Sequence, residues 1–290
     1  MNYIGSIFRP PSEAYSLILQ VTVGCSHNKC TFCGMYKEKN FKVKPIELIK
    51  SDLAEARRHY KYVERIFFAD GDALCLKTDK LLGLFELTRS VFPECKRMGL
   101  YSRALNILSK SEDELRNLKE AGLGIVYIGA ESGSDEVLKR VNKGETVEEI
   151  IRAVHKAESC GIKTSVTFIS GLGGKELMKE HAVETGEMIS KMNASYVGLL
   201  TLLLDETSPL NSDVRKGTFV QLEPLEVINE LEMILENSNC TKETVFRSNH
   251  ASNWLVLKGT LPKDKPNLLE QVRFAKENAK SLRHESYRRL

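Results

Sequence analysis

Six short apolar runs constrain this chain more than any other feature. They cover residues 17–22, 65–70, 97–102, 125–129, 163–169 and 195–203. Most are near-continuous rather than alternating, as expected of parallel strands covered on both faces. Amphipathic helices separate them. Ser111 stands three residues before Glu114, a capping-box pattern, and Gly122 stops that helix. Thr146 and Glu149 repeat the pattern before Gly161, with Ile150, Ile151, Val154 and Ala157 on one stripe. Further helices are expected over 45–58, 79–92, 175–192 and 224–237. Strands alternating with helices imply right-handed βαβ units. Either a partial barrel or a doubly wound open sheet fits, and both place ligands beyond the carboxyl ends of the strands. That rim would hold residues 25–33, 70–72, 102–103, 129–133 and 171–174.

The chain has 290 residues, 42% of them apolar, enough for one α/β barrel or two smaller domains. The pattern suggests a lead-in over 1–13, a core over 14–205 and an α-rich extension over 206–290 that serves as a substrate lid. Lys plus Arg number 42 against 39 Asp plus Glu, which reads as a mixed solvated surface rather than a nucleic-acid footprint. The first residues lack the basic and apolar segments of a signal peptide, and the run over 197–204 is too short to span a bilayer. The reading is a cytoplasmic protein without a membrane partner, its thiols kept reduced.

Seven cysteines are present, at 25, 30, 33, 75, 95, 160 and 240. An odd count with one tight group does not resemble a disulfide framework. The group lies in VTVGCSHNKCTFCGMYK, a C-x4-C-x2-C loop directly after the first run. Soft sulfur donors select zinc, Cu(I) or iron–sulfur clusters. Structural zinc needs four ligands, and His27 offers a fourth, though Cys25-x-His27 is tight spacing for one tetrahedral ion. A cubane cluster needs only three cysteines when one iron is left open for a ligand. Cys75, Cys95, Cys160 and Cys240 form no close-spaced set, which argues against a second cluster and against sulfur insertion.

A cysteine loop after the first strand, Phe32 before the third cysteine and a parallel βα chain together resemble the radical S-adenosylmethionine (SAM) superfamily. The usual superfamily spacing is C-x3-C-x2-C, and this chain carries one more residue in the first gap. The resemblance spans roughly residues 14–205. It implies a (β/α)6 partial TIM barrel, one 4Fe–4S cluster on Cys25, Cys30 and Cys33, and SAM on the open iron. It also implies oxygen sensitivity, an external flavodoxin or ferredoxin-type reductant, and a 5′-deoxyadenosyl radical that abstracts hydrogen from an unidentified substrate.

Four segments extend the resemblance. Asp70-Gly71-Asp72 occupies the place of a Gly-Gly-Glu-like motif that holds the methionine amino group. Ser102 and Arg103 end the third run, where family members often place a polar residue against ribose or carboxylate. Glu131 and Ser132 lie in a G-x-E-S-G segment like that of the family's fourth strand. A carboxylate there needs a partner, and ribose hydroxyls, the methionine ammonium or an internal cation would serve. Ile169, Gly171 and Leu172 resemble the fifth-strand adenine motif. Arg140 and Lys143 read as solvated helix-face charges. Tyr36 and Lys37 would line the pocket mouth. Asn249, His250, Asn253 and Trp254 read as either a capped turn or a substrate lid. No side chain is singled out as a catalytic acid or base. Two other classes remain open from sequence: a zinc-stabilised α/β binding module, and a cluster- and SAM-binding protein for electron transfer or regulation.

Overall fold

The computed structural model describes residues 1–288; Arg289 and Leu290, at the end of the expected extension, lie outside them. Contacts divide the chain into two units. The first comprises Met1–Asn28, Met35–Ile128 and Lys156–Thr164, and the second Lys29–Gly34, Gly129–His155 and Ser165–Leu290.

The first unit carries β1 (Leu17–Gln20), the small pair β2 (Thr22–Val23) and β3 (Lys42–Val43), α1 (Ile46–His59) and β4 (Arg65–Ala69). There follow α2 (Thr78–Val91), β5 (Arg97–Ser102), α3 (Ala104–Leu108), α4 (Glu112–Glu120) and most of β6 (Leu123–Glu131). Strands β1, β4, β5 and β6 pair in parallel in that order. Leu19, Phe68, Leu100 and Val126 are buried along one face, where Phe68 meets Phe85 of α2 at 5.1 Å between ring centroids. On the other face Phe67, Tyr101 and Tyr127 meet edge to face. The lead-in closes onto that face through a 3-10 turn at Pro11–Glu13. Glu13 is fully buried and pairs with Arg97 at 2.5 Å, while Tyr127 and Ser16 donate to it. Gly99 leaves room for it: a Cβ there would stand 3.3 Å from the Glu13 carboxylate.

The second unit carries the end of β6, α5 (Asp135–Arg140), the start of α6 (Val147–Ser159), most of β7 (Lys163–Ser170), α7 (Met178–Met192) and β8 (Tyr196–Thr201). Beyond these lie α8 (Asn211–Lys216), α9 (Pro224–Asn237), β9 (Thr244–Ser248), β10 (Leu257–Leu261) and α10 (Lys265–Glu277). Strands β7, β8 and β9 run parallel, and β10 is antiparallel to β9. Helix α9 buries Val227, Ile228, Leu231, Ile234 and Leu235. Each such side chain contributes about 2 kcal/mol when removed from water. Gly186 of α7 lets α9 approach closely, since a Cβ there would come within 2.5 Å of the Ile234 carbonyl.

All six expected strands form, and the class is a mostly parallel α/β fold. The Ser111–Glu114 capping box is present with both bonds made. Strands β9 and β10 were not expected, and they make the region after 205 less helical than its composition suggests. Their signal is weak because each has five residues and β10 reads Leu-Lys-Gly-Thr-Leu, apolar only at its ends. Among the described residues no helix is long and apolar enough to cross a membrane.

Candidate functional site

In the first unit the strand ends hold the start of the cysteine loop. Asp70 is fully buried. Its Oδ2 accepts from Gln20 Nε2 at 3.0 Å and Gly24 N at 2.9 Å and pairs with Lys39 Nζ at 3.1 Å. Its Oδ1 has no hydrogen-bond partner. The carboxylate that sequence places on the rim thus ties together β1, the loop and the segment after it. Gly71 N donates to Gly24 O at 3.2 Å. A Cβ at Gly71 would lie 2.6 Å from the Tyr36 ring and 3.2 Å from Cys25 Cβ, so glycine is what lets Cys25 pack there. Tyr36 is buried against Phe8 in an edge-to-face contact at 5.5 Å. Lys37 donates to Asn28 O at 2.9 Å, closing the loop on itself.

Asp72 is the polar hub at the ends of β4 and β5. It accepts from Ser26 Oγ, from Asn106 Nδ2 at 2.6 Å and from Arg103 N at 3.3 Å. Burial raises its pKa against the pull of these donors. Ser102 is buried and donates to Arg103 O at 2.8 Å. Burial, Asp72 and Cys25 push the Cys75 thiol up to about 12, so it stays protonated. His27 is half-buried, as is Cys25.

In the second unit the other two cysteines lie on a short stretch pinned from both sides. Thr31 N donates to Val141 O at 2.9 Å, and Leu210 N donates to Thr31 O at 2.8 Å. Ser208 Oγ donates to Phe32 O at 3.0 Å. Gly34 fits because a Cβ there would fall 1.9 Å from the Asp205 carboxylate. Asp205 accepts in turn from Thr207 N at 2.8 Å, and no sequence signal marks that role. Phe32 and Ile169 pack on Val137, Val141, Leu172, Leu202 and Leu210.

Glu131 adopts a left-handed backbone, φ 71°. Its carboxylate folds back over Gly129, where a Cβ would lie 2.0 Å away. It pairs with Lys143 at 3.1 Å, the two side chains 12% and 9% exposed. Burial lowers the Lys143 pKa, but Glu131, Cys30 and Glu145 outweigh it and hold the ammonium charged. Lys143, expected as a solvated helix charge, is therefore the buried counter-ion of Glu131. Arg140 does remain exposed, paired with Glu136 at 2.9 Å and Glu176 at 2.8 Å.

Helix α7 holds the turn after β6. Ser132 Oγ meets His181 Nδ1 at 2.7 Å, Gly133 N donates to Thr185 Oγ1 at 2.9 Å and Ser134 Oγ donates to Glu180 at 3.0 Å. A Cβ at Gly133 would sit 2.3 Å from the Glu184 carbonyl, on helix backbone that cannot swing away. Gly133→Ala is therefore expected to destabilise the protein by about 3 kcal/mol or more. Urea unfolding checks this; a change below about 1 kcal/mol would show that the turn yields freely.

The group at 249–254 is a capped turn. His250 Nδ1 accepts from Ser252 N at 3.1 Å. Asn253 Nδ2 donates to Leu199 O at 2.7 Å, and Thr201 Oγ1 donates to Asn253 Oδ1 at 3.0 Å, which fixes the end of β8. Asn249 is exposed, and the Arg288 guanidinium stacks 4.0 Å from the Trp254 ring centroid.

The donor set suits an iron–sulfur cluster. Cys25, Cys30 and Cys33 are each partly exposed and lie within nine residues of sequence. In a cubane each cysteine binds a different iron.

A parallel α/β fold whose first strand runs into a three-cysteine loop defines a cluster-binding class. Residues 19–188 match the family model of the radical SAM superfamily, and the chain belongs to that superfamily. Its members use a 4Fe–4S cluster and SAM. A protein of Methanocaldococcus jannaschii provisionally named a methylthiotransferase is 29% identical over 153 residues, 50% of this chain and 33% of its own length. This chain thus spans about a third of that relative. Another protein of that organism, named only as uncharacterized, is 24% identical over 245 residues, 81% of this chain and 74% of its own. The crystal structure of methylornithine synthase has a TM-score of 0.57 at 14% identity, covering 89% of this chain and 68% of its own, a likeness of fold.

Proposed function

We propose that this protein holds one 4Fe–4S cluster through Cys25, Cys30 and Cys33 and cleaves SAM reductively to abstract hydrogen from a substrate. The observation that carries the reading is the loop itself: three partly exposed cysteines at C-x4-C-x2-C spacing inside the region that matches the superfamily. When bound, a reduced cluster supplies the electron that breaks the S–C5′ bond of SAM, giving methionine and a 5′-deoxyadenosyl radical. The chain's own residues do the positioning. Asp70 and Lys39 fix the loop. Asp72, with Ser102 and Arg103 beside it, presents polar groups at the ends of β4 and β5. Glu131, paired with Lys143, takes ribose hydroxyls or the methionine ammonium, with Ser132 next to it. Ile169 and Leu172 offer apolar surface to adenine, and Gly171 lets its backbone approach closely. A flavodoxin or ferredoxin-type protein delivers the electron in a reducing cytosolic compartment.

The test is anaerobic reconstitution followed by dithionite and SAM, with 5′-deoxyadenosine read by chromatography. Formation of 5′-deoxyadenosine is the expected result. An intact cluster that yields none would point to electron transfer or regulation instead. Stoichiometric zinc without iron or sulfide in anaerobically purified protein would make the chain a zinc-stabilised binding module.

A further inference from the structure

A buried polar network in the second unit joins the turn after β6 to the turn after β7. His181 of α7 is fully buried. Its Nε2 donates to Ile169 O at 3.1 Å, which leaves Nδ1 to accept from Ser132 Oγ at 2.7 Å. Ser132 Oγ in turn accepts from Ser134 N at 2.9 Å. Each bond fixes the next, so the ring has one tautomer. Burial pushes its pKa down to about 4, consistent with a neutral ring.

Glu230 of α9 completes the arrangement from the other side. It too is fully buried. Its Oε1 accepts from Ser170 Oγ at 2.5 Å and Gly171 N at 2.7 Å and stands 3.8 Å from His181 Nε2. Its Oε2 has no hydrogen-bond partner. A lone buried carboxyl with an unsatisfied oxygen is a poor choice for stability alone. The close approach of α7 and α9 at Gly186 keeps His181 and Glu230 in reach of each other.

We infer that His181 and Glu230 are positioning residues that lock the Glu131–Ser134 turn to the Ile169–Gly171 turn, so that the two bind SAM as one rigid surface. This rests on the reading that both turns contact SAM. Neither residue is expected to touch the cofactor.

Hydrogen exchange on the protein without SAM, read by mass spectrometry, tests the lock directly. Glu230→Leu removes the acceptor and should raise exchange at least about tenfold in peptides covering 169–174. Through His181 it should also raise exchange in peptides covering 131–134. Ser132→Ala, a mild change that keeps the fold, should act in the reverse direction. Glu230→Gln keeps an acceptor oxygen and should leave both turns at least as well protected as in wild type. Loosening confined to the turn nearest each substitution would overturn the lock. Equilibrium dialysis of SAM on cluster-loaded protein supplies the second reading. Affinity should fall about tenfold in Glu230→Leu and Ser132→Ala, with iron and sulfide content unchanged, and be rescued in Glu230→Gln. Wild-type affinity in both disrupted variants would also overturn the inference. If wild type itself binds no SAM, the functional reading fails, while the exchange data still decide whether the turns are coupled.

Discussion

Cys30→Ala protein purified anaerobically is expected to fold normally and to carry no 4Fe–4S cluster, against about four irons per chain in wild type. Cys30 is partly exposed and makes no disulfide, so its removal opens no core cavity. Its importance is electronic. Cys30 is among the groups that hold the Lys143 ammonium charged, after Glu131. The superfamily's cluster has three protein ligands, so losing one removes a third of the set and exposes the corner to solvent. 5′-Deoxyadenosine formation should fall to background. His27→Ala is the control. It should retain iron and sulfide, because the proposed ligand set is Cys25, Cys30 and Cys33 alone. Iron analysis and the visible spectrum check both variants. Loss of iron from His27→Ala would move His27 into the ligand set, and iron retained in Cys30→Ala would remove Cys30 from it.

At pH 8 the Glu230→Gln variant is expected to be more stable than wild type by about 3 kcal/mol. Burial raises the Glu230 pKa to about 7, above its ordinary value of 4.5, and its hydrogen bonds to Ser170 and Gly171 only partly oppose this. An acid with a raised folded pKa binds its proton more tightly when folded. Its contribution to stability is complete below about pH 4.5 and is lost as pH rises through about 7. Glutamine keeps the acceptor and carries no charge, so that loss disappears. His181 has the opposite sign. Its folded pKa of about 4 lies below its ordinary 6.5, so the stability it contributes is present above pH 6.5 and lost as pH falls toward 4. Urea unfolding of wild type and Glu230→Gln at pH 5.5, 7 and 8.5 reads both slopes. Equal stability of the two proteins at pH 8.5 would show that Glu230 is not held as a strained buried acid.

The candidate cluster loop was legible because its signals are local. Cys25, Cys30, Cys33 and Phe32 fall within nine residues, and a ligand spacing is a property of one short loop. The strands carry their own apolar runs, and the helix starts carry their own caps, as Ser111 and Glu114 do. Lys143 was not legible in its role. A lysine twelve residues after Glu131, beyond a helix, looks like any surface lysine until the chain folds back and buries it. Asp70 reads as a ligand contact because it ends a strand beside a glycine; that its Oδ2 also serves Gln20, Gly24 and Lys39 depends on folding and was not legible.

The sequence by itself determined the alternation of strand and helix, the cysteine loop and the superfamily they indicate. Hydrophobic period and ligand spacing act over a few residues and survive without any knowledge of packing. Only the tertiary structure decided which charges are buried and what they hold. Glu131 meets Lys143, Gly34 meets Asp205, and Glu230 reaches Gly171 across 59 residues of chain. These pairings exist because burying a charge without a partner is costly, and the partner is whichever group packing brings near.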